Sequence, residues 1–273
     1  MLASIVWDVD PAIFTIFGHE IRWYGLLWGI GFLVGYLMVE RVFKREKLPN
    51  EWIDKLFMYT IVSSVIGARL GHCLFYGWDY YSQHPLEILM IWKGGLASHG
   101  GVFCLIVALI YYSKHVTHKS VWWLFDRMIP GIAFACMCIR LGNLMNSEIF
   151  GYTTTMPWGF LFIRSEEWQA LDHGLPCHPT QIYEMLYCII ALIVSSTMYW
   201  KYHLEKKVGL ITGVSLVIFF VARFLLEYMK NPQEAFEQGM AINMGQILSI
   251  PLILLGLYLA ISAIVKPDIK RIV

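Results

Sequence analysis

Gly209 to Met229 reads G-L-I-T-G-V-S-L-V-I-F-F-V-A-R-F-L-L-E-Y-M. A helix needs about 20 largely apolar residues to cross a bilayer, and this run supplies them. It also holds Arg223 and Glu227. Charge is expensive in hydrocarbon, so ionisable groups inside a span mark a candidate functional site. Six more apolar runs occur at 21–39, 56–76, 95–112, 121–140, 181–200 and 242–265. The chain therefore reads as an all-α polytopic membrane protein, one transmembrane domain of seven helices over residues 1–273.

Composition agrees. Of 273 residues, 58% are hydrophobic and 15% charged, against about 25% charged in a soluble domain; the mean hydropathy is +0.56. The net charge of +1 comes without a basic tail, which excludes nucleic acid as an expected partner and leaves the lipid bilayer. Residues 1–20 contain Asp8, Asp10 and Glu20 but no Lys or Arg. A basic n-region is thus missing, and the first span is expected to stay as an anchor. Of the six cysteines, Cys73, Cys104, Cys136, Cys138 and Cys188 lie in apolar stretches and none forms a C-x-x-C. They read as small core residues. Cys177 beside His178 is too little for a metal site, so none is expected.

Loop charge orients the spans. Segments 40–55, 113–120, 201–208 and 266–273 hold thirteen Lys and Arg, against Lys93, Arg164 and Lys230 in the alternate loops. The positive-inside rule then places the N-terminus outside and the C-terminus in the cytoplasm. Two outer segments exceed plain turns. Residues 77–94 mix aromatics with scattered charges, as interfacial arm helices do. Residues 141–180, with a strand-like run from Trp158 to Ile163, are expected to form a small extracytoplasmic cap.

In that orientation Arg22 and Tyr24 open the first span from outside, Arg69 and His72 close the second, and His99 enters the third. Arg140 ends the fourth, Gln181, Tyr183 and Glu184 open the fifth, and Asn243, Gln246 and Ser249 lie in the outer half of the seventh. Only Arg127 falls near the cytoplasmic end, where snorkelling accounts for it. Polar groups from all seven spans at one depth imply a cavity reached from the outer leaflet. Its cationic bias suits a phosphate, which guanidinium binds in a bidentate, charge-assisted way. Blander readings stand beside this one. Arg22 reads as an interfacial anchor and Tyr24 as a belt aromatic. Arg69 and His72 could form a structural pair, and Arg223 and Glu227, four apart, could neutralise each other.

Three motifs are sharper. In G-G-L-A-S-H-G-G, Gly94 to Gly101, four glycines flank His99. Glycine permits positive φ and close backbone approach, and an imidazole there could act as a base or a hydrogen-bond donor. In R-L-G-N-L-M-N-S-E-I-F-G, Arg140 to Gly151, Gly142 is expected to break the helix. Asn143, Asn146 and Glu148 then follow in a turn able to hold an anion and its neighbouring ester or hydroxyl groups. In H-P-T-Q-I-Y-E, His178 to Glu184, Thr180 is a possible N-cap; capping leaves the charge of Glu184 less well explained.

With I-R-W-Y-G at 21–25, G-A-R-L-G-H at 67–72, R-F-L-L-E at 223–227 and G-Q-I-L-S at 245–249, these motifs resemble the prolipoprotein diacylglyceryl transferase family over nearly the whole chain. Ala97 and Leu144 depart from the family's frequent Ser and Phe without removing a charged or amide group. The resemblance implies transfer of the diacylglyceryl group from phosphatidylglycerol to the lipobox cysteine thiol of a prolipoprotein. A thioether forms and glycerol 1-phosphate leaves. It implies no cofactor, a multi-pass protein of the bacterial cytoplasmic (inner) membrane, and an active site toward the outer leaflet. The implied catalytic residues are His99, Arg140, Arg223 and Tyr24; the implied lipid-binding residues are Arg140, Asn143, Asn146, Glu148, Gly151, Arg223 and Glu227. Arg140 and Arg223 would clamp the phosphate, and His99 would be either the thiol's base or a headgroup ligand.

Two other classes make different predictions. A channel or transporter needs a polar path through the whole bilayer, and the cytoplasmic halves read as nearly free of buried polar groups. An intramembrane serine protease would need more than Ser98 beside His99, and a G-x-S-x-G elbow is missing.

Overall fold

The computed structural model describes residues 4–16, 18–91, 94–95, 97–171, 174–231 and 242–265; Lys93, Lys266, Lys270 and Arg271, all used in the orientation argument, lie outside them. Seven described helices are long and apolar enough to cross a membrane: Trp23–Arg45, Asn50–Phe75, His99–Thr117, Val121–Met145, Thr180–Trp200, Leu210–Met229 and Met244–Val265. The protein is a multi-pass membrane protein. Its residues group into two compact units, 1–38 with 125–273, and 39–124.

In the first unit, helix α1 (Trp23–Arg45) meets helix α5 (Val121–Met145) through small residues. A Cβ on Gly31 would stand 3.1 Å from Ala135 Cα, and one on Gly131 3.1 Å from Gly35 Cα. Lipid tails offer helices no hydrophobic reason to associate, so close backbone approach is what holds them together. A Cβ on Gly29 would meet nothing within 4 Å, so that glycine takes no part in the contact. Of the remaining long helices, α8 (Leu210–Leu226) lies against both α7 (Thr180–Trp200) and α9 (Met244–Val265).

The cap uses more of the chain than expected. Strand β1 (Ile5–Trp7) pairs in parallel with a strand at Phe160–Phe162, inside the strand-like run read from sequence. Trp7, Phe150, Phe160, Phe162, Trp168 and Cys177 pack with Leu144 into a small core, and the Trp7 indole donates to the Leu144 carbonyl at 2.9 Å. Helix α6 (Glu166–Leu171) carries Trp168 into it. Between β1 and α1 runs a hairpin of β2 (Ala12–Ile16) and β3 (His19–Arg22). Arg22 therefore ends an exposed strand and pairs with Glu20 at 2.8 Å, outside any span.

Two further expectations give way at the opposite ends of these helices. Arg127 does not snorkel: it is 5% exposed and lies in the field it shares with Asp126. Nor are these ends free of buried polar groups. The fully buried Asp126 accepts from the backbone N–H groups of Gly209 (2.6 Å) and Thr212 (2.8 Å) and from the Thr212 hydroxyl (2.6 Å). The first N–H groups of a helix have no intrahelical acceptor, and Asp126 satisfies those of Gly209 and Thr212 at the start of α8 from another helix. All these bonds close one helix end.

In the second unit, helix α2 (Asn50–Phe75) packs on helix α4 (Ser98–Tyr112). A Cβ on Gly67 would stand 2.5 Å from Cys104 Cβ and Gly100 O, and one on Gly71 2.8 Å from Gly100 Cα. The arm between them is a short α3 (Trp78–Tyr81) and a 3-10 turn at Pro85–Leu89.

Candidate functional site

Helix α5 does not stop at Gly142 but continues to Met145. The glycine serves contact: a Cβ there would sit 2.8 Å from the Tyr24 ring. The chain turns only afterwards, at Ser147 (φ 54°) and Ile149 (φ 61°), both in the left-handed region. Such conformations cost non-glycine residues free energy and persist where the surroundings fix them. Here Gln181 Nε2 donates to Glu148 O at 2.6 Å and the Thr180 hydroxyl to Ile149 O at 2.8 Å. Thr180 is thus the first residue of α7 and holds the preceding loop; it is not the N-cap.

The turn folds Glu148 back onto the end of α5. Asn143 Nδ2 donates to Glu148 Oε1 at 2.7 Å, and Asn146 Nδ2 to the same oxygen at 3.3 Å. Arg140 Nη1 reaches Asn143 Oδ1 at 3.3 Å. Tyr24, at the start of α1, lies within the fields of Glu148 and Arg140.

Glu184, one turn into α7, stands at the centre. It is fully buried, and each of its oxygens faces a cation: Oε2 lies 3.0 Å from Arg140 Nε, and Oε1 2.8 Å from Lys230 Nζ. Lys230 is 4% exposed and reaches Glu227 Oε2 as well, at 3.9 Å. Sequence reasoning treated Lys230 as an ordinary loop charge. Its only signal was its place three residues after Glu227. The alternative in which Glu227 neutralises Arg223 gives way to this Glu227–Lys230 contact. The Arg223 guanidinium makes no hydrogen bond or ion pair among the described residues, and it shares a neighbour with Arg140: Tyr187 on α7 lies in the fields of both arginines.

The backbone closes the arrangement at Gly151. Its N–H donates to His178 O at 2.9 Å, it bridges to Lys230, and the Tyr152 N–H donates to Met229 O at 2.9 Å. A Cβ on Gly151 would strike Met229 O and stand 2.7 Å from Thr180 Cγ2. Glycine is required by the crossing of three segments, not by its φ. Next to this crossing, partial burial holds the His178 imidazole below its ordinary pKa.

His99 belongs to the second unit, where it is exposed at the second residue of α4, with Phe75 and Tyr76 rings centred 5.7 Å away. The segment before it is held by Arg69, which is 2% exposed. This guanidinium donates to the carbonyls of Glu87 (2.5 Å), Ile88 (2.9 Å), Gly94 (2.6 Å) and Gly95 (3.3 Å). Gly94 and Gly95 take φ of 82° and 74°, which lets both carbonyls turn toward it. Arg69 thus spends its donors on backbone carbonyls of the arm rather than on His72, whose ring lies against Tyr76 and Tyr81.

The first unit thus gathers Tyr24, Arg140, Asn143, Asn146, Glu148, Gly151, Arg223 and Glu227 around Glu184 and Lys230. Three cations and three carboxylates at one end of a helix bundle define an integral membrane protein with a buried polar centre. The chain belongs to a known family: the profile described as prolipoprotein diacylglyceryl transferase matches residues 11–262. A phosphatidylglycerol--prolipoprotein diacylglyceryl transferase of Porphyromonas gingivalis is 45% identical, over 99% of this chain and 98% of its own. Proteins of the same name from Chloroherpeton thalassium and Tolumonas auensis are each 40% identical, covering 98% and 93% of this chain and 97% and 96% of theirs.

Proposed function

We propose that this protein transfers the diacylglyceryl group of phosphatidylglycerol to the lipobox cysteine thiol of a prolipoprotein, in the cytoplasmic membrane of a bacterium. Family membership across residues 11–262 carries this reading. The charge cluster supplies the chemistry. Loop charge supports a site facing the outer leaflet, with thirteen basic residues on one side of the spans and three on the other.

In the reaction the cysteine thiolate attacks the glyceryl carbon bonded to the phosphate ester. A C–S bond forms, the C–O bond breaks, and its electron pair leaves with glycerol 1-phosphate. The thiol proton must first be removed, because only the thiolate is a good nucleophile. Charge grows on the leaving oxygen, and preorganised cations there lower the barrier without reorganising. Arg140 and Arg223 are the groups for that task. Arg140 is held on its Nε edge by Glu184 and on Nη1 by Asn143. Asn143, Asn146 and Glu148 fix the turn that faces the headgroup. Tyr24 closes the site over Gly142, and His99 is the candidate base or a second headgroup ligand.

The test incubates purified protein with acyl-labelled phosphatidylglycerol and a lipobox peptide. The expected product is a thioether-linked diacylglyceryl peptide. A labelled peptide whose adduct hydrolyses as a thioester, or no adduct where a known transferase makes one, would refute the reading.

A further inference from the structure

Lys230 sits in the polar centre but is not among the catalytic or lipid-binding residues named above. It is nearly as buried as Glu184, with side chains 3% and 0% exposed. Its ammonium meets Glu184 at 2.8 Å and Glu227 at 3.9 Å, and its backbone bridges to Gly151. Glu227 packs directly on Gly245, where a Cβ would stand 2.6 Å from Glu227 Oε1. Two buried carboxylates are thus tied to one ammonium, and one of them also holds Arg140.

We infer that Lys230 is a positioning residue for the phosphate site, acting through Glu184 on Arg140; this rests on the transferase reading. Glu184 has two oxygens and two cations. With Lys230 on Oε1, Arg140 meets Glu184 through Nε and Oε2, while Nη1 turns to Asn143. Without Lys230, Oε1 becomes an uncompensated buried charge. The nearest remaining cation is Arg140, and a carboxylate with two free oxygens prefers a bidentate guanidinium. Arg140 would then rotate onto Glu184 and leave Asn143, withdrawing donors from the phosphate. Lys230 keeps Arg140 from being neutralised by its own anchor.

The experiment compares Lys230→Met and Lys230→Arg with the wild type, measuring kcat and KM separately for phosphatidylglycerol and for a lipobox peptide. Lys230→Met is expected to raise the KM for phosphatidylglycerol about tenfold, with the peptide KM unchanged, since the lost contacts serve one substrate. Lys230→Arg keeps the charge and should restore most of the wild-type value. If Lys230→Met lowers only the active fraction and leaves both KM values unchanged, Lys230 is merely structural and the inference fails. Should Lys230→Met not fold, Glu184→Gln with Lys230→Gln removes both charges together. Its KM for phosphatidylglycerol should rise because Arg140 has lost its anchor, and an unchanged value again overturns the inference. Wild-type protein inactive on phosphatidylglycerol would instead overturn the transferase reading itself.

Discussion

Arg140 Nε lies 3.0 Å from Glu184 Oε2, one partly exposed and the other fully buried. The pair joins the end of α5 to the start of α7 and leaves part of the guanidinium open. A buried carboxylate that holds an arginine by one edge orients it; a carboxylate that took both edges would silence it. The substrate chemistry follows from that difference.

Arg140→Lys tests this orientation. Lysine keeps the charge but is a point donor, unable to meet Glu184, Asn143 and a phosphate at once. Transferase turnover is expected to fall about 100-fold or more, as when a preorganised donor is removed from a developing oxyanion. Steady-state rates against phosphatidylglycerol concentration check it, and wild-type turnover would mean that bidentate recognition has no part.

His99→Gln separates two roles. If His99 is the base, the variant loses most activity near pH 7 and regains some as pH rises toward 9, where the thiol ionises unaided. If His99 binds the headgroup, the deficit is uniform across pH 6 to 9. Near-normal activity throughout would exclude the base.

Arg69→Ala addresses the second unit. Four backbone carbonyls lose a charged donor, and each such bond is worth about 1.5–3 kcal/mol. The variant is expected to melt several degrees lower in detergent and to expose the 85–95 segment to protease. Unchanged melting and cleavage would show that the arm holds itself.

Gly151→Ala is a close-approach prediction. The added methyl would meet the Met229 carbonyl, which belongs to backbone and cannot yield cheaply. Separation of the segments would carry Lys230 off Glu184, so activity should fall at least about tenfold, a loss of roughly 1.4 kcal/mol in transition-state stabilisation. Melting should fall only modestly. Wild-type activity would mean that the bridge does not position the site.

Much of this was legible in the chain. Apolar runs marked the seven helices because bilayer thickness fixes their length, although polar helix ends such as 50–55 and 40–45 ran up to six residues past the apolar limits. The residues of the Arg140–Gly151 motif do converge, since its amides and carboxylate lie within reach along one turn. What stayed hidden depended on partners distant in sequence. Lys230 looked like a loop charge because Glu184, its partner, lies on another helix. Asp126 gave no sign that it caps α8, 83 residues further on. Gly142 misled because a glycine that breaks a helix and one that admits a tyrosine ring read alike. The parallel pairing of Ile5–Trp7 with 160–162 left no local signal either.

The most direct measurement follows both products of one turnover. Phosphatidylglycerol labelled separately in its acyl chains and its terminal glycerol is incubated with purified protein and a lipobox peptide. A thioether-linked diacylglyceryl peptide and free glycerol 1-phosphate are expected in equal amounts. Terminal glycerol released without phosphate, or glycerol phosphate formed with no peptide adduct, would contradict the transferase reading.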